Sequence, residues 1–456
     1  VDTLDENGIL FDVIQKFSDE SEKISPKNLN NHDMGTVFEE LIRKFNEENN
    51  EEAGEHFTPR EVIKLMTNML FLPVGKAIKD KPLTIYDPCA GSGGMLSISK
   101  EFIQSDESGI HSEGTIFTFG QEINPETYAL CKADMLLKGE RDNKVAFGST
   151  LSNDGFPNEK FDFILTNPPY GKSWKTDEAK LSTGGKKAEI LDTRFTVGTP
   201  RINDGQLLFM LHMLSKMKHD TPMGTRIASV HNGSALFTGD AGGGESNIRK
   251  HIIENDYLEA IVALPKDMFY NTGIGTYIWI LTNRKPEHKK GKIQLINATS
   301  NAFFSKMMKS LGSKRNELKD EHIHKIYEIF EKFEEGEFSK IFDNTDFGYT
   351  QIIVDRPKRD EAGNMEMKNK KPVADADLRD KENIPLKEDI QAYFKREVLP
   401  FAPDAWISEK DAKVGYEINF NKYFYEYTPP RSLEDITADI LALEKETDGV
   451  LKKIIS

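Results

Sequence analysis

At 456 residues the chain is long enough for two or three domains with a sizeable core. Its formal net charge of −15 argues against a free-standing DNA binder, which shows a basic footprint that releases counterions. A hydrophobic content of 38% and a mean hydropathy of −0.54 describe a soluble chain, with no apolar run near the roughly 20 residues of a membrane span and no visible signal peptide. Cys89 and Cys131 make neither a disulfide framework nor a metal cluster, so a reducing cytoplasm is expected. The start at Val1 rather than methionine is expected of a trimmed sequence.

Residues 1–50 carry apolar residues at helical spacing, in Ile9-Leu10-Phe11-Asp12-Val13-Ile14 and in Val37-Phe38-Glu39-Glu40-Leu41-Ile42, and read as packed helices. In Gly54-Glu55-His56-Phe57-Thr58-Pro59-Arg60, Thr58 and Pro59 suit the N-cap and first turn of a helix from Arg60 to Met69. The strand Leu83-Thr84-Ile85-Tyr86-Asp87 then runs through Pro88-Cys89-Ala90-Gly91-Ser92-Gly93-Gly94 into a helix from Met95. Glycines at such a turn let backbone approach a ligand where a Cβ would clash. The pattern is neither the dinucleotide fingerprint nor a phosphate loop ending in Gly-Lys-Ser/Thr. A nucleoside without a pyrophosphate is therefore expected, held by Asp87, Ala90, Gly91, Ser92, Gly93 and Gly94. A polar surface insertion at 104–114 precedes the strand Thr115 to Gly120, after which Glu122 is placed to accept both ribose hydroxyls. A helix ending at Met135 to Gly139 and a short strand from Lys144 to Leu151 add one more loop at the ligand's edge.

The apolar run Phe161 to Thr166 ends at Asn167-Pro168-Pro169-Tyr170. Two prolines fix φ and remove two donors, so these four residues form a small, rigid polar pocket. It suits one chemical problem: an amino group conjugated to a ring or carbonyl is a poor nucleophile because its lone pair is delocalised. If the Asn167 side-chain oxygen and the Pro168 carbonyl accept its two hydrogens, the nitrogen turns tetrahedral and its lone pair leaves the plane. Tyr170 can stack on the ring, for roughly 1–3 kcal/mol. Residues 171–204, with Lys172, Trp174, Lys175, Gly184, Gly185, Lys186, Lys187 and Arg194, are too long for a plain connection and read as a mobile lid near DNA. His212, in the apolar helix Gln206 to Met217, reads as a packed histidine.

Strands resume at Arg226 to Val230, Ala260 to Pro265 and Tyr277 to Thr282, with the aromatic turn Met268 to Ile274 where a hairpin would close. Phe269 in that turn is the candidate to sandwich a base against Tyr170. From Lys285 the composition changes: Lys289 to Lys292 and Lys306 to Arg315 are locally basic, and Lys319 to Glu335 is an amphipathic helix with Ile323, Ile326, Tyr327, Phe330 and Phe333 on one face. Residues 355–385 read as an exposed charged hairpin or linker. After Tyr427-Thr428-Pro429-Pro430, Ser432 can cap a helix whose Leu433, Ile436, Ile440, Leu443, Thr447, Val450 and Ile454 form a heptad seam, suited to contact with another subunit.

The glycine turn followed by the Asn-Pro-Pro-Tyr motif resembles amino-group methyltransferases that use S-adenosylmethionine. Together with Gly54 to Arg60, Leu264 to Leu281 and the tail Gly415-Tyr416-Glu417-Ile418 through Pro430, the chain resembles the modification (methyltransferase) subunit of type I restriction–modification systems. That resemblance implies an α/β class I S-adenosylmethionine-dependent methyltransferase fold, a mixed, mostly parallel sheet with helices on both faces, flanked by an N-terminal helical region and a C-terminal helical extension. The expected division is 1–50 helical, 51–300 catalytic, 301–430 α/β extension and 431–456 coiled-coil-like helix. Family members have a longer N-terminal helical domain, so this one is either truncated or short.

The implied reaction is methylation of adenine N6 in DNA, with a flipped adenine between Tyr170 and Phe269 and catalysis by Asn167, Pro168 and Pro169, without a metal. Glu55, His56, Phe57, Thr58, Pro59 and Arg60 would close over the methionine end of the cofactor, and Asn167 would border it. The implied partners are DNA, one specificity subunit for two copies of this chain, and in some systems a restriction subunit. Where the family often has an Asp at the cofactor's adenine, this chain has Ser149. Rival readings are a solitary adenine methyltransferase with its own recognition region, a release-factor glutamine methyltransferase and an inactive scaffold.

Overall fold

A computed structural model describes residues 8, 10–19, 58–137, 144–183, 189–270, 272–311, 313–408, 412–425 and 432–443. Helix α1 spans Leu10–Asp19, as the apolar spacing there predicts; the segments 37–42 and 54–57 lie outside the described residues. The chain divides into two compact units, Val1–Ile418 and Asn419–Ser456.

The first unit is built on a nine-stranded sheet. After α2 (Arg60–Phe71) come β1 (Leu83–Asp87), α3 (Gly94–Gln104), β2 (Ile116–Glu122), α4 (Pro125–Leu137), β3 (Lys144–Phe147), β4 (Phe163–Thr166), α5 (Lys175–Leu181), α6 (Gln206–Ser215), β5 (Arg226–Asn232), α7 (Gly244–Glu254), β6 (Leu258–Ala263), β7 (Thr276–Thr282), β8 (Lys292–Asn297), α8 (Asp320–Lys332) and β11 (Ser339–Asp343), with a hairpin of β9 (Ser305–Leu311) and β10 (Lys314–Glu317) before α8. The strand order is β11-β8-β6-β7-β5-β4-β1-β2-β3. Strands β3, β2, β1, β4 and β5 are parallel; β7 lies antiparallel between β5 and β6. The hairpin expected between the last two apolar runs is thus the β6–β7 pair.

Alternation along the strands feeds two faces. Ile85, Phe163, Leu165, Val230, Val262 and Ile278 join α2, α3 and α8 in one apolar core. Tyr86, one residue out of phase with Ile85, faces the other side and meets His212 of α6. Burial on both faces explains why these strands read as continuous apolar runs. The amphipathic helix read at 319–335 is α8, whose Ile323, Ile326, Tyr327 and Phe330 are buried.

Connection order places the site. The chain lays β1, β2 and β3 outward, then returns to add β4 and β5 on the other side of β1. The reversal falls between β1 and β4, and such a switch point opens a crevice at the strands' carboxyl ends.

Two expectations are corrected. The sheet does not stop at residue 300: β8 pairs with β11 across Ile296 and Ser339, so the segment after 300 completes the catalytic sheet. Pro59, not Thr58, occupies the N-cap of α2, with φ −54° and ψ 136° and no side-chain cap; its carbonyl accepts from the Val62 and Ile63 amides. Residues 171–204, read as a mobile lid, include α5 and a 3-10 turn at Thr193–Phe195; residues 184–188 lie outside the described residues.

A smaller sheet follows, in which β12 (Gly348–Asp355) pairs with β15 (Asp380–Pro385), β16 (Trp406–Ile407) and β17 (Lys413–Tyr416). Between β12 and β15 the exposed hairpin of β13 (Met367–Lys368) and β14 (Lys371–Pro372) stands where the charged stretch predicts one. Buried Arg249 of α7 donates to the carbonyls of Tyr416 (2.6 Å), Ala235 (3.1 Å) and Thr238 (2.7 Å), which ties β17 to α7 within the first unit. In the second unit, Phe420–Phe424 is a short helix, and residues 433–443 are helical. Ser432 caps the latter as expected, its Oγ accepting from the Asp435 amide at 3.1 Å.

Candidate active site

A cavity of about 280 Å³ opens at the carboxyl ends of β1 and β4. Thr58, Asp87, Ala90, Gly91, Ser92, Gly94, Glu122, Asn167, Pro168, Pro169 and Tyr170 line it. The glycine turn and the Asn-Pro-Pro-Tyr motif, far apart in sequence, therefore share one wall, because their strands are neighbours at the switch point.

The glycine turn is braced from within. Gly91 has a φ of 52° and its amide donates to Glu122 Oε2 at 2.9 Å; Glu122 Oε1 accepts from the Asn124 amide at 2.8 Å. Glu122 thus uses one lone pair of each oxygen on backbone and keeps others for a ligand. Gly93 does not line the cavity: at φ 87° its Cβ would stand 3.0 Å from Cys131 Sγ and 3.1 Å from Met135 Cε, so packing on α4 demands this glycine.

Asp87, at the end of β1, is buried. Its Oδ1 accepts from the Cys89 amide at 2.9 Å, while Oδ2 has no hydrogen-bond partner among the described residues. Burial, reinforced by the charge of Glu122, pushes its carboxyl up to about 7.

At the end of β4, Asn167 Nδ2 donates to Thr58 Oγ1 at 3.1 Å. That bond spends the Thr58 hydroxyl on the active motif rather than on a helix cap, and fixes the amide so that its oxygen is the free end. Asn167 Oδ1 is buried on the cavity wall and has no hydrogen-bond partner among the described residues. Such an orphan acceptor costs about 1–3 kcal/mol, a cost that marks a site awaiting a donor. Tyr170 is half-buried on the same wall, and burial pushes its hydroxyl up to about 12. Asp204 holds the chain just beyond, its Oδ1 accepting from the Gly171 amide at 3.0 Å.

Other sequence candidates fall elsewhere. Pro59 and Arg60 stand at the start of α2, behind the cavity wall rather than on it. Glu55, His56 and Phe57 lie outside the described residues. Phe269 is not brought to the site: it is 1% exposed, packed in the core with Met268 and Leu264, and does not line the cavity. An aromatic turn has the same local pattern whether it faces the core or the solvent, and here the core took the ring.

Several wall residues escaped the sequence reading. Ile123, 62% exposed beside Glu122, gives the cavity an apolar patch. Phe209 lines it from α6; Trp174, named above only as part of the 171–204 segment, lines it from the residue before α5, its Nε1 donating to the Arg201 carbonyl at 3.1 Å. Asp177 reaches it from α5. Only Ile123 carried a local signal, an apolar residue directly after the ribose carboxylate.

The profile of the N-6 DNA methylase family matches residues 29–351. The MjaIX methylase subunit of a type I restriction enzyme from Methanocaldococcus jannaschii is 30% identical over 310 residues, 67% of this chain and 50% of that protein. The EcoKI methylase subunit from Escherichia coli is 26% identical over 317 residues, 65% of this chain and 53% of that protein. The chain thus spans about half the length of the curated relatives it matches. Among solved structures, the methyltransferase subunit of a type I restriction–modification system from Streptococcus thermophilus superposes with a TM-score of 0.55 at 28% identity, covering 69% of this chain and 60% of that one. With a match over most of its length and both motifs on one cavity wall, the chain belongs to the N-6 DNA methylase family.

Proposed function

We propose that this chain transfers a methyl group from S-adenosylmethionine to N6 of a flipped adenine in DNA, as the modification subunit of a type I restriction–modification complex whose specificity subunit selects the site. The observation that carries the reading is the buried Asn167 Oδ1 on the cavity wall beside Pro168, which has no hydrogen-bond partner among the described residues. Nothing in a plain strand ending requires an orphan acceptor there.

The residues present fit the cofactor. Asp87 Oδ2 is a second buried acceptor without a partner, Gly91 and Gly94 leave backbone open to a ligand, and Glu122 retains lone pairs for ribose hydroxyls. When bound, S-adenosylmethionine supplies an electrophilic methyl on a sulfonium. Asn167 Oδ1 and the Pro168 carbonyl accept the two amino hydrogens of the target, which returns the nitrogen lone pair to the nucleophile. Positioning of this kind supplies roughly 7–11 kcal/mol of a barrier. Tyr170 offers its ring as a platform for the extruded base, whose unstacking costs a few kcal/mol. The methylated nitrogen, cationic at first, gives its surplus proton to water, so no dedicated base is required.

Tritiated-methyl transfer to unmethylated DNA tests the reading, with the chain alone and with the specificity subunit encoded beside it. Transfer only with the partner is expected. Transfer by the chain alone would replace this reading with that of a solitary enzyme. Asn167→Ala should lower turnover by at least about 100-fold, on the scale of losing one preorganised transition-state contact, with cofactor affinity kept within about threefold. An Asn167→Ala enzyme of normal turnover would remove Asn167 from the chemistry.

A further inference from the structure

Beyond the glycine turn and Glu122, the next stretch of cavity wall is the loop after β3, where Ser149, Thr150 and Leu151 face the ligand. The carboxylate found there comes from another element. Asp177, in the first turn of α5, accepts from Ser149 Oγ at 2.6 Å and from Ser152 Oγ at 2.6 Å, both on its Oδ1. Ser149 Oγ itself accepts from the Leu151 amide at 3.3 Å and the Ser152 amide at 3.4 Å, so backbone donors polarise its hydroxyl toward Asp177. Asp177 Oδ2 makes no hydrogen bond among the described residues, and Asp177 lies on the cavity wall.

Resting on the cofactor reading above, we infer that Asp177 recognises the exocyclic amino group of the cofactor's adenine. A carboxylate accepts hydrogen bonds and does not donate them. A free carboxylate oxygen beside a nucleoside base therefore selects a base edge that donates, and the 6-amino group of adenine is such an edge. Position agrees with chemistry: along the wall, the glycine turn of β1 comes first, Glu122 of β2 next, and the loop after β3 last, the order of amino acid, ribose and base in the ligand. Ile123 supplies the apolar surface between the last two. Since Asp177 stands on the segment that follows Tyr170, cofactor binding also fastens α5, the helix next after the pocket for the target amine.

Calorimetry on the full chain distinguishes the possibilities, with S-adenosylhomocysteine and its analogue bearing hydrogen in place of the 6-amino group as probes. The wild type should bind the amino form about tenfold or more tightly, the scale of one charge-assisted hydrogen bond. Asp177→Ala should shrink that preference to less than about threefold while affinity for the analogue stays unchanged, which also shows that the fold is intact. Equal binding of both probes by the wild type overturns the inference, as does an Asp177→Ala variant that loses affinity for both alike. A wild type that binds neither probe sinks the cofactor reading itself, and the inference with it.

Discussion

Asp87 keeps one oxygen on the Cys89 amide and leaves the other bare inside the protein. Burial raises its carboxyl to about 7, so between the ordinary carboxylate pKa and about 7 the folded chain holds a proton that the unfolded chain has lost. Stability from this group is therefore greatest below about pH 4, falls as pH rises toward 7, and levels off above, by roughly 4 kcal/mol in all. Asp87→Asn keeps an oxygen for the Cys89 amide and removes the buried charge, so it should raise Tm at pH 8 while weakening cofactor binding. The amino-acid end of S-adenosylmethionine brings an ammonium, which favours the ionised carboxylate. At pH 6.5 the wild type should consequently release protons on binding, and Asp87→Asn should not. Titrations in buffers of different ionisation enthalpy measure this directly; an observed heat independent of buffer for the wild type would disconnect Asp87 from the cofactor.

Arg194 ties the segment from Gly171 to Gly205 to the loop after β3 and to α6. Its guanidinium binds the Asp192 carboxylate at 2.7 Å, the carbonyls of Thr150 (3.0 Å) and Leu151 (2.5 Å), and His212 Nδ1 at 2.8 Å. Burial first, then the Arg194 charge, keep His212 well below the usual histidine range. The neutral ring thus accepts at Nδ1 and donates from Nε2 to Tyr86 Oη at 3.0 Å, one residue before Asp87. His212, read from sequence as packing, is the middle of a relay that anchors the segment beneath the cavity. Arg194→Ala should cost roughly 3–5 kcal/mol, the scale of breaking a buried ionic network, and should open the segment to trypsin at Lys175 and Lys180; an unchanged denaturation midpoint would show that the segment is held by other contacts. The same segment shows what a sequence can disclose. The glycine turn and Asn-Pro-Pro-Tyr were legible because strand, turn and pocket are fixed by adjacent residues. Thr58 with Asn167, Tyr86 with His212 and Ser149 with Asp177 lie 109, 126 and 28 positions apart, and nothing local in either partner announces the other. Strand β8 was hidden for a different reason: lysines at 289, 290 and 292 mask the apolar run Ile293 to Ile296, and only pairing with β6 and β11 reveals it.

At the scale of the whole molecule, the proposed action on DNA by a chain of net charge −15 calls for a partner that supplies much of the grip, since phosphate contacts are made by cations. The second unit offers the means. In the helix at 433–443, Leu433, Ile436, Ile440 and Leu443 recur three and four positions apart and are all exposed, Leu433 by 83%. An apolar stripe at heptad spacing is a surface to be covered by another helix; its continuation through Thr447, Val450 and Ile454 lies outside the described residues. The β-sheet core and the cavity, by contrast, are built within 58–418. A chain ended after Tyr425 should therefore keep its melting temperature and bind S-adenosylhomocysteine within about twofold of the full chain, a difference below RT. It should no longer co-elute with the specificity subunit, and partner-dependent methyl transfer should fall with that loss. The paired substitution Ile436→Glu with Ile440→Glu should do the same, because a buried charge at such a seam is costly. Separation of binding from assembly would assign the two units their separate tasks. A truncated chain that still assembles and methylates would move the partner contact into the first unit, where the exposed hairpin of β9 and β10, with Lys306 and Lys309, is the next surface to alter.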